Sequence, residues 1–436
     1  MTMLIKWLSF TLLLSALFEA QAQTINAASC SSSDVQNAIN AGAAGGTVAV
    51  PAGNCSWSGL SLSKAITLKG AGTGQTNISL TANNAFHVSK NTSGVTRIQG
   101  FSFSAALGVA NVGILVDEGG TWRTDYPVVF QSNSFTTNSS GMFHIVTPGG
   151  VIISHSTFTG TCGDVGCDEF IHVYDISDTA HSWTSPDTMG TRDAATTLSG
   201  TISGTTGYLN LYVEDNTFNG AITLASDNDD GARVVYRHNT YTNSVFNSHG
   251  DYSSPYGIRH WEIYNNTFLN TCSEGGSCTP ITNENQAVWL KGGTGVIYNN
   301  VFDSLNTGYW GNKSEISFTI EACTTPYPMP RQLGQNYNTS QFLDPIYLWG
   351  NSVQNGDHLL SVFKGWQYSC GLTFTTYFQS GRDYIDNDTG SGSGSNAPKP
   401  GYTAYTYPHP LTGSAGGGTT QGTGPAPPIG LQAIVN

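Results

Sequence analysis

Acids, a histidine and a lysine crowd into a short part of this 436-residue chain. Ser226-Asp227-Asn228-Asp229-Asp230-Gly231 carries three carboxylates, and Asn247-Ser248-His249-Gly250-Asp251 brings a histidine 20 residues after Asp229. Crowded carboxyl groups split their roles, because repulsion raises the pKa of one until it can give a proton that its neighbour can take. Lys291 follows, ahead of Gly292-Gly293, and Arg237 and Arg259 add fixed positive charge. Asp175 and Asp227 could instead hold Ca²⁺ through oxygen, although the run from Asp227 to Gly231 lacks EF-hand spacing and a site would have to be assembled across the fold. Each residue also has a plainer reading. Asp-Asp-Gly is common turn chemistry, His249 before glycine can satisfy a turn carbonyl, and the arginines can be rungs of salt-bridged ladders.

These residues are carried by a repeated element. Glu262-Ile263-Tyr264-Asn265-Asn266-Thr267-Phe268 recurs as Val213 to Phe218, Tyr236 to Tyr241 and Ile297 to Phe302, with weaker copies ending at Phe103, Phe135, Phe158 and Val353. Apolar and polar residues alternate in each copy, the period of a strand with one buried face. Asn then sits where the chain must bend, and the aromatic residue after it points inward. One such unit cannot bury its face alone, so copies must stack, Asn on Asn and Phe on Phe. A second strand series follows the turns: Gly113 to Val116, Phe143 to Val146, Phe170 to Val173, Ile222 to Leu224, Val245 to Asn247, Val288 to Leu290, Ile316 to Ile320 and Leu359 to Val362. If these stack in register, the residues after them form a column: Asp117 and Glu118, Thr147, Asp175, Asp227, His249, Lys291, Glu321 and Lys364. Neighbouring coils then stand about 4.7–4.9 Å apart.

Composition agrees with one long all-β domain: 52 glycines and only 10% charged residues. A net charge of −13 argues against a nucleic-acid partner. Residues 1–22 read as a secretory signal, with Lys6, an apolar core from Trp7 to Phe18 and Ala20-Gln21-Ala22. No later segment is long and apolar enough to span a membrane. Eight cysteines suit export; proximity in sequence suggests Cys162 with Cys167 and Cys272 with Cys278, then Cys30 with Cys55 and Cys323 with Cys370. Ser33 to Gly42 reads as a short amphipathic helix with Asp34 or Ser33 as N-cap and Val35, Ala38 and Ile39 inward. Insertions fall at 160–207, 271–285 and 323–344. The expected organisation is a signal at 1–22, a β-helix with its N-terminal cap at 23–380, a C-terminal strap at 381–411 and a Gly/Pro-rich tail at 412–436.

The run from Asp34 to Gly72, with its helix, Gly45-Gly46-Thr47-Val48-Ala49-Val50-Pro51-Ala52-Gly53 and Ala65-Ile66-Thr67-Leu68-Lys69-Gly70, followed by the Asn-Asn-Thr-Phe coils, resembles the start of right-handed parallel β-helix proteins of the pectate-lyase-like superfamily. The resemblance covers roughly residues 30 to 380 and implies an all-β right-handed solenoid with a short N-terminal capping helix. That superfamily spans lyases, hydrolases, epimerases, esterases and tailspikes, so fold alone does not choose a reaction. An Asp pair followed by His-Gly is similar to polygalacturonase-type hydrolases of glycoside hydrolase family 28. On that likeness Asp229 and Asp230 match the carboxylates, His249 the histidine and Arg259 the basic substrate-binding element. The family's spaced Arg and Lys pair and its upstream Asn-Thr-Asp motif are not reproduced.

The expected function is thus an exported enzyme degrading an acidic, pectin-like glycan, with Asp229, Asp230, His249 and Lys291 as catalytic residues and Asp175, Asp227, Arg237 and Arg259 binding substrate. Hydrolysis needs an acid and a base or nucleophile. Elimination needs a base and cations against the uronate carboxylate, with Ca²⁺ as a cofactor in that case. The alternative is a non-catalytic carbohydrate-binding or adhesion β-helix, which predicts exposed aromatics on a flat face and dispersed charges. The expected partner is a polysaccharide, with no membrane insertion, and the expected state is a monomer.

Overall fold

The structure, a computed structural model, describes residues 23–105, 112–117, 126–137, 145–147, 150–160, 169–174, 210–229, 231–250, 257–271, 287–304, 315–320, 333–335, 343–354, 359–364, 378–389 and 394–412. Among these, twelve strands form one sheet in chain order, from Thr24–Asn26 to Tyr384–Asp386. Eighteen more form a second sheet, in which two interleaved ladders meet in the long strands Thr217–Asp229 and Thr240–Asn247. Every named strand pairing is parallel. Strands that pair with their counterparts one turn earlier and one turn later make a parallel β-helix, as the repeat demands.

Two adjacent residues divide the work of each corner. The first takes the left-handed backbone: Ser132, His155, Asp215, His238, Asn265 and Asn299 all have φ between 51° and 58°, and Gly350 has 66°. The second is the buried one. The Asn266 carbonyl oxygen accepts from the Asn239 backbone N–H at 2.9 Å and from its side-chain amide at 3.0 Å. Its own amide donates to Tyr236 O and to Asn300 Oδ1. The same pattern links Asn216 to Asn239, Asn300 to Asn351, and Asn351 to Asp388, where the ladder ends on a carboxylate. The bend expected of the repeated Asn thus belongs to the residue before it, and that Asn satisfies buried backbone instead. Beside this ladder Phe103, Phe135, Phe158, Phe218, Tyr241, Phe268 and Phe302 form a column with ring centroids 4.6–5.6 Å apart. The expected aromatic stack is present.

The single helix among the described residues runs Ser32–Ala41, with Val35, Ala38 and Ile39 buried as its pattern requires. Its N-cap is Ser31, whose hydroxyl accepts from the Asp34 N–H, not Ser33 or Asp34. Cys30 and Cys55 are bonded, with Cα atoms 5.8 Å apart. Cys162, Cys167, Cys272, Cys278, Cys323 and Cys370 lie outside the described residues, as do residues 1–22, most of the three insertions and residues 413–436.

The chain's last described stretch, 394–412, lies along the outer face of the twelve-stranded sheet. Its anchor is a fully buried ion pair on neighbouring rungs, Arg237 Nη2 to Glu214 Oε2 at 2.7 Å. Arg237 also donates to Tyr264 OH, Tyr405 O and Thr406 O, while Glu214 Oε1 accepts from His409 N and Thr412 Oγ1. Tyr402 OH donates to Glu262 at 2.6 Å, and Arg97 to Leu411 O. The expectation that Arg237 binds substrate is therefore corrected: its guanidinium is wholly enclosed and spent on the strap. Residues 384–386 are the sheet's last strand, so the strap itself begins later than residue 381.

Four outcomes test this account. Asn266→Ala strands two donors of Asn239 and should lower stability by about 2–5 kcal/mol. Asn265→Ala, which strains φ and removes one part-buried side-chain contact with His238 Nε2, should cost about 1–2 kcal/mol, both read from urea midpoints at unchanged slope. Arg237→Met leaves the Glu214 charge buried and should cost about 3–5 kcal/mol. His409 is held down to about 4, mainly by burial, with Arg237 and Arg97 adding and Glu214 opposing. An unperturbed histidine titrates near 6.5, so the unfolded chain takes up the proton first. This contribution is present above about 6.5 and lost as pH falls toward about 4. The melting temperature of His409→Gln should fall less than that of the parent over this window.

Candidate active site

The chemistry-bearing residues meet on the eighteen-stranded sheet, where strand alternation turns them away from the core. In Ile171–Tyr174, Ile171 and Val173 enter the core cluster and His172 faces out. His172 pairs with Asp227 and Tyr174 with Asp229 in the next coil, so the two acids share the face of His172. Asn247 pairs with Trp289 one coil further on. Beyond the strand ends the ladder continues, since His249 N donates to Asn228 O and Ser248 N to Trp289 O. His249 therefore stands beside Asp227 and Asp229, and Lys291 follows Trp289 in the adjoining coil.

A bulge makes this alignment. Leu224 pairs with Val245 but Ser226 with Phe246, so Ala225 is an extra residue on its strand. Inserting one residue exchanges inward and outward positions after it, which presents Asp227 and Asp229 to the surface that His249 lines. The chain then turns, with Ala232 N donating to Asp229 O and Gly231 at φ 81°. A turn after Asp229 was the plainer reading of this run, and it coexists with the cluster.

The distances are short. His249 Nδ1 lies 2.7 Å from Asp229 Oδ1 and 3.2 Å from Asp227 Oδ2. His172 Nε2 lies 3.4 Å from Asp229 Oδ2, and its Nδ1 lies 2.9 Å from Glu169 Oε2. Asp227 Oδ1 accepts from the Asn247 side-chain amide at 2.8 Å and the Asn228 N–H at 3.0 Å. Lys291 Nζ sits 3.8 Å from the centre of the Trp289 ring, and its backbone N–H donates to Ser248 Oγ. His249 is the most open member, its side chain 25% exposed against 4–11% for the acids and His172.

Burial disfavours both imidazolium ions, yet the facing carboxylates outweigh it. His249 rises to about 11, mainly through Asp227 and Asp229, and His172 to about 10 through Asp229 and Glu169. Burial also opposes the Asp227 carboxylate, but His249, His172 and Lys291 hold it well below the usual range. Glu169 moves the other way, raised by burial and by Asp227 against the pull of His172.

Of the expected site residues, Asp227, Asp229, His249 and Lys291 come together. Asp175 and Asp230 lie outside the described residues. Arg259 is fully buried where the turn at 257–259 meets the twelve-stranded sheet, its backbone N–H donating to Ala232 O, so its side chain is not on the open surface with His249. The expected column is also re-registered, because Asp227 is level with His172. Glu169 and His172 were missed. Their i,i+3 spacing inside the 160–207 insertion was the available signal.

Two overlapping trios, Glu169/His172/Asp227 and Asp227/Asp229/His249, bring one donor atom from each residue within 4.8 Å of the others. Calcium takes oxygen donors. Each trio includes an imidazole nitrogen, and Asp227 Oδ1 is already engaged by two amides. The described residues do not fit the expected Ca²⁺, and no chemistry is routed through it.

No protein-family model matches the sequence, and no curated protein matches it. Among solved structures the chain is similar to an alginate lyase from Paenibacillus sp. str. FPU-7, at 10% identity and TM-score 0.36, covering 79% of this chain and 99% of that one. It is similar to the A-module of a mannuronan C-5 epimerase from Azotobacter vinelandii, at 13% identity and TM-score 0.30, covering 78% and 95%. The catalytic domain of a GH87 α-1,3-glucanase in complex with nigerose follows, at 10% identity and TM-score 0.32, covering 84% and 67%. At such scores the functional reading is drawn from the site itself.

Proposed function

We propose that this chain is an exported polysaccharide-degrading enzyme whose active site is the cluster of Asp227, Asp229, His249 and Lys291. The observation that carries the reading is convergence: a partly open imidazole backed by two buried carboxylates, with a lysine in the next coil. His249 is the open group and the buried Lys291 stands in the adjoining coil, so positive charge lies over buried acids, which suits an acidic glycan. On such a glycan β-elimination is the favoured reaction. A base takes the proton beside the uronate carboxylate, the electron pair forms the ring double bond, and the glycosidic oxygen leaves with a proton. His249 and Lys291 are the candidates for neutralising the carboxylate and for protonating the leaving oxygen, and Asp229 behind His249 is the carboxylate at hand to take the first proton.

Hydrolysis is the second reading, because oxygens of Asp227 and Asp229 lie within 4.8 Å of each other, near the about 5–5.5 Å carboxyl spacing of retaining glycosidases. The binding-only alternative expects exposed aromatics. Among the described residues Trp57, Trp261, Trp289 and Trp349 are buried, and the exposed Tyr407 is stacked on His238, which disfavours it. Export is supported by the Cys30–Cys55 bond, and no helix among the described residues is long and apolar enough to cross a membrane. We read the winding as right-handed, the hand of about 98% of parallel crossovers, and the helix Ser32–Ala41 as the cap of the first coils.

The test is a panel of acidic polysaccharides, following reducing ends together with the ultraviolet absorbance of an unsaturated uronate. Both signals rising together support elimination; reducing ends alone support hydrolysis. Either activity should fall at least about 100-fold in His249→Ala, with an unchanged melting temperature separating chemistry from misfolding. Silence across the panel from folded protein would sink the enzymatic reading.

A further inference from the structure

We infer that Asp227, Asp229 and His249 form a binding site for a first-row transition-metal dication of the zinc class, with His172 and Glu169 behind them. The inference stands on geometry and holds whether or not the cluster cuts a glycan. Its first support is donor spacing. Ligands bound to zinc at about 2.0–2.2 Å stand about 3–3.5 Å from one another. Here His249 Nδ1 is 3.2 Å from Asp227 Oδ2 and His172 Nε2 is 3.4 Å from Asp229 Oδ2, both in that range, while His249 Nδ1 to Asp229 Oδ1, at 2.7 Å, is a closer contact that an ion would spread.

The second support is an unmade hydrogen bond. His249 Nδ1 and Asp229 Oδ1 are close, yet neither atom has a partner aligned as a hydrogen bond, although Asp229 is more than nine-tenths buried. Two polar atoms held this close by charge, with the hydrogen bond off line, leave room for a common third centre to which both can donate. A buried carboxylate oxygen left so is costly otherwise.

The donor set selects the ion. Imidazole nitrogen with carboxylate oxygen suits zinc and its first-row neighbours, whereas calcium takes oxygen alone and more of it. The outer contacts expected of such a site are also built. Asp227 Oδ1 is fixed by Asn247 and Asn228, leaving Oδ2 toward His249, and His172 is oriented by Glu169 through its other ring nitrogen. Two imidazoles and three carboxylates offer the ion more donors than it needs, so the outer pair can orient the inner trio.

The measurement is calorimetric titration of chelator-treated full chain with Zn²⁺, Mn²⁺ and Ca²⁺, in the absence of any glycan. One equivalent of Zn²⁺ should bind at least about 100-fold more tightly than Ca²⁺ and raise the melting temperature. Asp229→Asn and His249→Ala should each weaken Zn²⁺ by at least about 10-fold, while His87→Ala, altering a surface His–Asp pair elsewhere, should leave it unchanged. Should either variant unfold, Co²⁺ bound to the parent chain gives a second reading, since a histidine–carboxylate site yields visible ligand-field bands that Zn²⁺ abolishes by displacement. Equal or tighter Ca²⁺ binding, no Zn²⁺ binding by folded protein, or Zn²⁺ affinity that survives both substitutions would overturn the inference. None of these outcomes touches the polysaccharide assay, so the two proposals fail separately.

Discussion

The buried asparagine ladder is the constraint on which the rest of this molecule depends. Each coil must end in a corner, and a corner leaves backbone groups that the next strand cannot pair. Asn216, Asn239, Asn266, Asn300 and Asn351 satisfy them by joining one coil's corner to the next. Such an amide has one fitting position, so it sets the register of successive coils to the residue. In a strand a slip of one residue would exchange its faces. The aromatic column adds burial, but rings can slide against each other where hydrogen bonds cannot.

That fixed register is what allows an ionic cluster to exist on the other sheet. His172, Asp227, Asp229 and His249 come from three successive coils, and their distances of 2.7–3.4 Å are set by backbone placement. Placing carboxylates and imidazoles together away from water is unfavourable unless each faces an opposite charge. The bulge at Ala225 is the local departure that brings this about. Irregularity sits at the site and regularity holds it in place, the usual distribution of strain in a functional solenoid.

Much of this was legible because repetition is visible in sequence. The Asn-Asn-Thr-Phe copies announce stacked coils and the aromatic column, and the acid-rich run with His249 announces the cluster. What the sequence concealed has physical causes. His172 and Asp227 are partners across a long insertion, and nothing local marks two residues so far apart as neighbours. The bulge is one alanine, indistinguishable in sequence from any other strand residue, yet it re-registers the run of Asp227 against the strand that leads to His249. Arg237 occupies an outward rung like a surface charge, and only the return of residues 394–412 encloses it. Of the two corner residues, the one that bends varies among Ser, His, Asp, Asn and Gly, because several types tolerate the left-handed backbone. The one that bonds is nearly always Asn, so repetition exposed the ladder while its role was read as bending.

The two faces of the coil have opposite solutions to the same problem. On the twelve-stranded sheet, Glu214 and Arg237 are closed over by the strap, which takes up the donors and acceptors left by their pairing. The pair becomes a fastening between the last described stretch of the chain and the middle of the stack. On the eighteen-stranded sheet, Asp227, Asp229 and His249 hold opposite charges equally close, but the imidazole stays partly open and its contact with Asp229 is not a completed hydrogen bond. A fully satisfied ion pair has nothing to offer a ligand. An incompletely satisfied one keeps free energy in reserve for whatever completes it, a proton in transit, an anionic sugar or a metal ion. The difference between fastening and site lies in that incompleteness, since both set a carboxylate against a cation at 2.7 Å.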